Sequence, residues 1–282
     1  MEFGKLYVVP TPIGNLKDIT LRAIEVLESA DMIAAEDTRQ SLKLLNHFNI
    51  RKPLVSYHKF NEQNKSGSIV QLLKEGKNIA LISDAGTPGI SDPGSIIIKK
   101  CLEEKIDFVV LPGATAVIPA LVYSGLDTTK FIFRGFFPRE TKERRKVLDE
   151  ISEREETIIF YEAPHRLLDA LTFICEIMGN RNLAVCRELT KIHEEIFRGT
   201  IKEAVSHFSS KQIKGEIVLV IEGKSKEAIL EEKKSKWENM PIRDHIICYM
   251  ELGKSKKESI KLVSNERGLP KSEIYKYSID IE

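Results

Sequence analysis

Short runs of branched and aromatic residues alternate, over the first 225 positions, with longer stretches in which apolar residues recur every three or four places. The runs at 6–10, 31–36, 53–57, 78–84 and 107–111 predict one series of strands, and those near 131–137, 157–162, 183–188 and 215–222 a second. Between them, stretches such as Leu21-Arg-Ala-Ile-Glu-Val-Leu-Glu-Ser-Ala30 carry one apolar stripe each and predict covering helices. Two series of alternating elements imply an α/β protein with two α/β domains, over 1–113 and 114–223, the break falling near Leu111-Pro-Gly113. Residues 224–240 are crowded with charge and read as a linker. The remainder, 241–282, predicts a small helical segment of three short helices, Pro241–Leu252, Lys256–Arg267 and Pro270–Ile281, punctuated by Gly253 and Gly268. The last two have the spacing of a helix-turn-helix, which inert helical hairpins share.

Composition narrows the partners only a little. With 43 Lys plus Arg against 42 Asp plus Glu, no overall field draws the chain to a polyanion, so nucleic-acid contact requires local patches. The chain begins directly with a strand pattern and holds no run of the roughly 18 apolar residues a membrane span needs, so a soluble, cytoplasmic protein with no membrane partner is expected. Cys101, Cys175, Cys186 and Cys248 are far apart and lie in or beside apolar runs, which reads as buried reduced thiols with no metal site.

The chemistry concentrates where strands end. No GxGxxG follows the first strand and no GxxxxGK[ST] occurs, which excludes the common dinucleotide and triphosphate folds. Instead the first strand runs into Pro10-Thr-Pro-Ile-Gly-Asn15, a stiffened turn. The fourth runs into Ser83-Asp-Ala-Gly-Thr-Pro-Gly-Ile-Ser-Asp-Pro-Gly94, whose glycines admit a ligand close to the backbone and whose prolines hold the loop in shape. The loop has no lysine to meet a triphosphate, and Asp84 and Asp92 would repel one, so the ligand expected is neutral or cationic. S-adenosylmethionine, with its sulfonium and ammonium, meets that requirement. Leu111-Pro-Gly-Ala-Thr-Ala116 opens a helix that Thr115 either caps or leaves for a ligand. Phe160-Tyr-Glu-Ala-Pro-His-Arg166 and Cys186-Arg-Glu-Leu-Thr-Lys191 close two strands of the second series with charge, at the edge where open α/β sheets collect ligands.

Five blocks taken in order, Pro10-Thr-Pro-Ile-Gly-Asn-Leu-Lys-Asp18, Ala35-Glu-Asp-Thr-Arg39, Ser83-Asp-Ala-Gly-Thr-Pro88, Glu162-Ala-Pro-His-Arg-Leu167 and Lys214-Gly-Glu-Ile-Val-Leu-Val220, resemble the tetrapyrrole-methylase family, class III methyltransferases, in its branch acting on small-subunit ribosomal RNA. The resemblance implies a homodimer of two-domain subunits that binds S-adenosylmethionine through Pro10, Asp84, Gly86, Thr87, Pro88, Gly89, Ile90, Thr115, Ala116, Tyr161 and Val218. It further implies 2′-O-methylation of a cytidine in 16S ribosomal RNA within the small subunit. Where corrin methylases carry Gly-Asp-Pro this chain has Gly86-Thr-Pro88, which argues against a tetrapyrrole acceptor, the main rival. A non-catalytic RNA-binding protein is the other rival.

A ribose hydroxyl is a poor nucleophile and requires a base, or a cation that favours the developing alkoxide. Asp37 and Glu162 are the expected bases, with Arg39 and Arg187 as phosphate or alkoxide partners; ion pairs Asp37–Arg39, Glu162–Arg166 and Arg187–Glu188 are the alternative use of the same residues. Asn15, His58, His165, Arg166 and Glu188 are expected at the acceptor. Arg139, Arg144 and Arg145, in the basic stretch that follows Arg134-Gly-Phe-Phe-Pro, are expected on the RNA phosphates, with Phe131, Phe133 and Phe136 able either to stack on a base or to fill a core.

Overall fold

The computed structural model describes residues 2–225, 237 and 240–281; most of the charged 224–240 stretch lies outside them. Residues Met1–Leu148 with Glu156–Glu222 make one compact unit, which contains both sheets, and Asp149–Glu155 with Gly223–Glu282 make a second.

The first sheet holds β1 (Leu6–Val8), β2 (Met32–Ala35), β3 (Leu54–Ser56), β4 (Ile79–Ile82) and β5 (Phe108–Val110), all parallel, in the order β3-β2-β4-β1-β5. Its strands are apolar on both faces because each face is covered. Leu6, Val8, Ile79 and Leu81 pack with Ile69 and Leu73 of α3 (Glu62–Lys74) and Ile97 and Cys101 of α4 (Ser95–Glu103). The alternate residues Val9, Ala80 and Ile82 pack with Ala23 and Leu27 of α1 (Leu21–Ser29) and Leu45 of α2 (Thr38–His47).

The second sheet, in the order β6-β7-β10-β8-β9, is mixed. Its strands are β6 (Phe131–Phe136), β7 (Thr157–Glu162), β8 (Asn182–Arg187), β9 (Glu195–Thr200) and β10 (Ile217–Ile221). Only β6 and β7 are parallel; β10 runs antiparallel between β7 and β8, and β9 antiparallel at the edge. β9 is an addition to the four strands expected: Glu195, Arg198 and Gly199 interrupt its apolar pattern, as an edge strand permits. The helix α5 (Val117–Ser124) lies with this sheet, Val117, Ala120 and Leu121 packing on Ile159, Ala184, Cys186, Val218 and Val220. Ile13 and Leu189 join that cluster, so the turn after β1 is buried against the second sheet. The remaining helices of this unit are α6 (Thr141–Ile151), which runs on into the second unit, α7 (Leu167–Met178) and α8 (Ile201–Ser209).

The second unit holds α9 (Ile242–Glu251), α10 (Lys256–Arg267) and α11 (Lys271–Lys276), close to the three helices expected. Ile246, Ile260, Val263, Ile274 and Ile281 form its core. Ser255 and Glu258 close a reciprocal capping box at the start of α10. His245 is fully buried, stacked 3.9 Å from Trp237; Arg267 Nε donates to its Nδ1 at 3.1 Å, so the ring is neutral and gives its Nε2 proton to Glu266 at 3.1 Å. The four cysteines are unpaired. No helix among the described residues is long and apolar enough to cross a membrane.

Candidate active site

Three loops at the carboxyl ends of the strands are tied to each other, two by main chain and the third by a threonine hydroxyl. Thr11 and Gly86 exchange two backbone hydrogen bonds of 2.9 Å, Thr11 Oγ1 donates to Ser83 O at 3.0 Å, and Thr87 Oγ1 donates to Ala114 O at 3.0 Å. From the second sheet, Thr190 Oγ1 accepts the Asn15 amide at 3.0 Å. Gly14 sits so close to this segment that a Cβ there would stand 2.5 Å from Lys191 Cγ and 2.9 Å from Leu189 O, which explains the glycine.

The loops enclose a cavity of about 400 Å³, within the roughly 300–1,000 Å³ range of small-molecule sites. Asp84, Gly86, Thr87, Ile90, Thr115, Ala116, Tyr161 and Val218, all expected to hold the methyl donor, line it together with Glu162. Pro10, Pro88 and Gly89 do not line it. Pro10 is buried against the 111–113 turn, where a Cβ on Gly113 would lie 2.7 Å from its own, and Gly89 N donates to Pro93 O within the glycine-rich loop. Beyond the expected set the lining includes Ile13, Phe136, Gly215, Glu216 and Ile217. Phe136 enters because a bulge in β6 between Phe133 and Phe136 turns its ring to the edge of Tyr161, 5.4 Å between centroids. For Gly215 and Glu216 the signal lay in the Lys214-Gly-Glu block.

The electrostatics of the cavity are one-sided. Glu36, Asp84, Asp92, Glu162 and Glu216 line it and no lysine, arginine or histidine does. Burial, followed by the charge of Glu36, pushes Asp92 up to about 7. Burial likewise raises Glu36, with Asp84 adding to it, and raises Asp84. Burial pushes the Tyr161 hydroxyl up to about 12, so it stays protonated and hydrogen-bonds with Thr115. A cavity of this kind favours a cationic ligand.

Glu162 is only 2% exposed. Its Oε1 accepts from the Ala163 amide at 2.7 Å, while Oε2, 3.4 Å from Arg166 Nη2, has no hydrogen-bond partner among the described residues. Arg166 instead gives its Nη2 to Phe137 O and Pro138 O, both at 2.7 Å. Burial raises the Glu162 carboxyl above its ordinary value despite that arginine.

The other expected residues divide. Asp37 lies outside the cavity lining, caps α2 by accepting the Arg39 amide, and holds the exposed Arg39 guanidinium at 3.0 Å; those hydrogen bonds from Arg39 keep its carboxyl below the ordinary range. Its amide donates to Asp84 at 3.0 Å, which makes it a support for that side chain. Arg187 is engaged across the sheet with Glu195 at 3.0 Å and with Lys214 O at 3.2 Å, not with Glu188. Glu188 accepts from Lys191 and from the Glu216 amide, both at 2.9 Å. His165 is exposed beside Glu162. His58, near Glu36, bonds Asn61 through Nε2 and leaves a buried Nδ1 without a partner among the described residues. Arg139 and Arg145 are exposed. Arg144 departs from its expected place on the RNA: it is 7% exposed, donates to Pro138 O at 2.9 Å and Asp169 at 2.5 Å, and lies over the rings of Phe137 and Phe173. It is a structural arginine.

Similarity to known proteins bears on family and fold. Residues 5–205 match the family model of tetrapyrrole (corrin/porphyrin) methylases. The chain is 49% identical to ribosomal RNA small subunit methyltransferase I of Bacillus subtilis, over 97% of this chain and 94% of that one. It is 48% identical to the protein of the same name from Thermotoga maritima, over 78% of this chain and 99% of that one. Among solved structures it is similar in fold to diphthine synthase, at a TM-score of 0.65 and 14% identity over 79% of this chain and 91% of that one. Likewise it is similar to the cobalt precorrin-4 methyltransferase, at 0.58 and 19% identity over 77% and 94%. The chain therefore belongs to the tetrapyrrole (corrin/porphyrin) methylase family, in the branch of the ribosomal RNA small subunit methyltransferase I proteins.

Proposed function

We propose that this chain is an S-adenosylmethionine-dependent methyltransferase that methylates the ribose 2′-hydroxyl of a cytidine in 16S ribosomal RNA, within the small ribosomal subunit. The observation that carries the reading is the carboxylate-lined cavity with Glu162 in its lining, a residue whose Oε2 has no hydrogen-bond partner among the described residues. S-adenosylmethionine fits the residues present: Glu36, Asp84 and Asp92 would meet its positive charges, and Ile13, Ile90 and Val218 its apolar parts. When bound, it supplies an electrophilic methyl group for in-line displacement.

The rest of the reaction falls to the chain itself. Tying the loops by main-chain and threonine hydrogen bonds holds the cavity in shape before any ligand enters, and such positioning supplies much of the rate of a bimolecular transfer. Glu162 accepts the proton of the hydroxyl at Oε2; burial raises its affinity for protons above that of an ordinary carboxylate, which suits it to that task. Arg166, pinned by two carbonyls, stands 3.4 Å from Oε2 and stabilises the carboxylate without a hydrogen bond to that oxygen. Asp37 and Arg39 act as a pair, one ordering Asp84 and the other standing exposed for a phosphate. The exposed Arg139 and Arg145 serve the RNA in the same way, and Asn15, His58, His165 and Glu188, none of which lines the cavity, are assigned to the acceptor.

A tetrapyrrole acceptor is disfavoured, because the curated relatives at 40–49% identity carry a ribosomal RNA name while the porphyrin and precorrin methylases are similar at the level of fold. The exposed apolar face of α5, with Ile118, Val122 and Tyr123, supports the homodimer, and the reading places the enzyme in the cytoplasm with its substrate. The test is transfer of labelled methyl from S-adenosylmethionine to isolated small subunits, with nucleoside mass spectrometry of the product. A 2′-O-methylcytidine is the expected product; labelled precorrin with unlabelled RNA would reverse the assignment.

A further inference from the structure

The second unit contains a groove the reaction does not use. Its walls are the first two turns of α10 and the length of α11, and its volume is about 650 Å³. Lys256, Lys257, Ile260 and Lys261 recur at the spacing that places residues on one side of a helix, and Lys271 and Tyr275 do so on the facing one. Ile260 is buried at the floor, and Tyr275 is 59% exposed. Four ammonium groups therefore line one concave surface with no carboxylate in its lining. Lys256 is anchored, donating to Ile281 O at 2.6 Å. Lys257, Lys261 and Lys271 have no ion-pair partner among the described residues, although the same unit has carboxylates to offer. Like charges gathered in a groove repel one another unless an anion lies between them.

We propose that this groove is a second RNA-binding surface, holding the sugar-phosphate backbone of a single-stranded segment of the substrate on Lys257, Lys261 and Lys271, with Tyr275 stacked on an unpaired base. A concave row of lysines beside one exposed aromatic is the combination that grips single strands without reading their sequence. The proposal rests on the RNA substrate argued above, and it assigns this surface to affinity, leaving chemistry with the cavity.

The experiment compares the full-length parent with the triple variants K257A/K261A/K271A and K257R/K261R/K271R, and separately with Tyr275→Ala. Binding to isolated small subunits and to naked 16S ribosomal RNA is measured across salt concentrations, alongside kcat and KM for methyl transfer. The alanine triple should raise Kd and KM on the order of tenfold and flatten the log–log salt dependence by about 2, while kcat and S-adenosylmethionine affinity hold. The arginine triple should restore binding, which a folding defect in the alanine triple would not predict, and Tyr275→Ala should weaken it without changing the salt slope. Unchanged Kd and salt slope in a folded alanine triple overturn the groove and leave the methylation reading standing. Lysine-dependent binding with no methyl transfer by the parent supports the groove and overturns that reading instead. Lysine-dependent binding to phosphatidylglycerol vesicles with none to RNA overturns the proposal in favour of a membrane.

Discussion

The cavity of the first unit and the groove of the second are opposites. One is lined by five carboxylates and no cation, the other by four lysines and no carboxylate. A chain whose charges nearly cancel has sorted them into two places of opposite sign. Net charge describes neither, because each surface answers to its own ligand: a small sulfonium in one case, a polyanion in the other.

The largest way to sharpen the contrast is Glu162→Gln. It keeps the shape and removes the base, so methyl transfer should fall ~10²–10⁴-fold in single-turnover kinetics while RNA and S-adenosylmethionine affinities move little. A fall below tenfold would return the base to another group. Arg144→Ala tests whether a cation in the basic stretch after Arg134 is available to RNA at all. Its loss should cost about 1–3 kcal/mol in urea unfolding, by stripping a buried hydrogen-bonded group, with RNA affinity of the folded fraction unchanged.

Asp92→Asn probes the sign of the cavity. The folded Asp92 holds its proton up to about 7, above the roughly 3.9 of an unfolded aspartate, so its contribution to stability is complete below about pH 4 and lost as pH rises through 7. S-adenosylmethionine should bind better over that same rise, because the ionised carboxylate faces a cation. The variant should abolish both trends, seen in thermal unfolding and calorimetry between pH 5 and 8.5. Smallest is Ser255→Ala, which breaks the capping box of α10 and should cost the second unit about 1 kcal/mol by hydrogen exchange. It should weaken RNA binding and leave donor affinity alone; an equal loss of both would erase the division between the regions.

How much of this was readable depended on whether a feature was local. The first sheet was legible because burial on both faces makes Ile79–Ile82 an unbroken apolar run, and the loop after it because glycine, proline and aspartate act on their own backbone. β9 was not, since an edge strand tolerates Glu195, Arg198 and Gly199. Pairings were hardest. Arg187 and Glu188 are adjacent, yet the antiparallel register of β8 and β9 sets Arg187 opposite Glu195. Arg144 reads as one of a run of surface cations until the fold turns it onto Phe137 and Phe173. The lysine groove was invisible for the same reason: Lys261 and Lys271 belong to one surface only after the turn at Gly268 folds α11 back on α10.

The exchange of two amide–carbonyl bonds between Thr11 and Gly86 has a consequence for inheritance. A pocket wall written in main chain is not deleted by changing a side chain, so mutation can rewrite most of the lining while the enclosure persists. Lineages built this way are free to exchange one acceptor for another over time without having to reinvent the place where the donor sits.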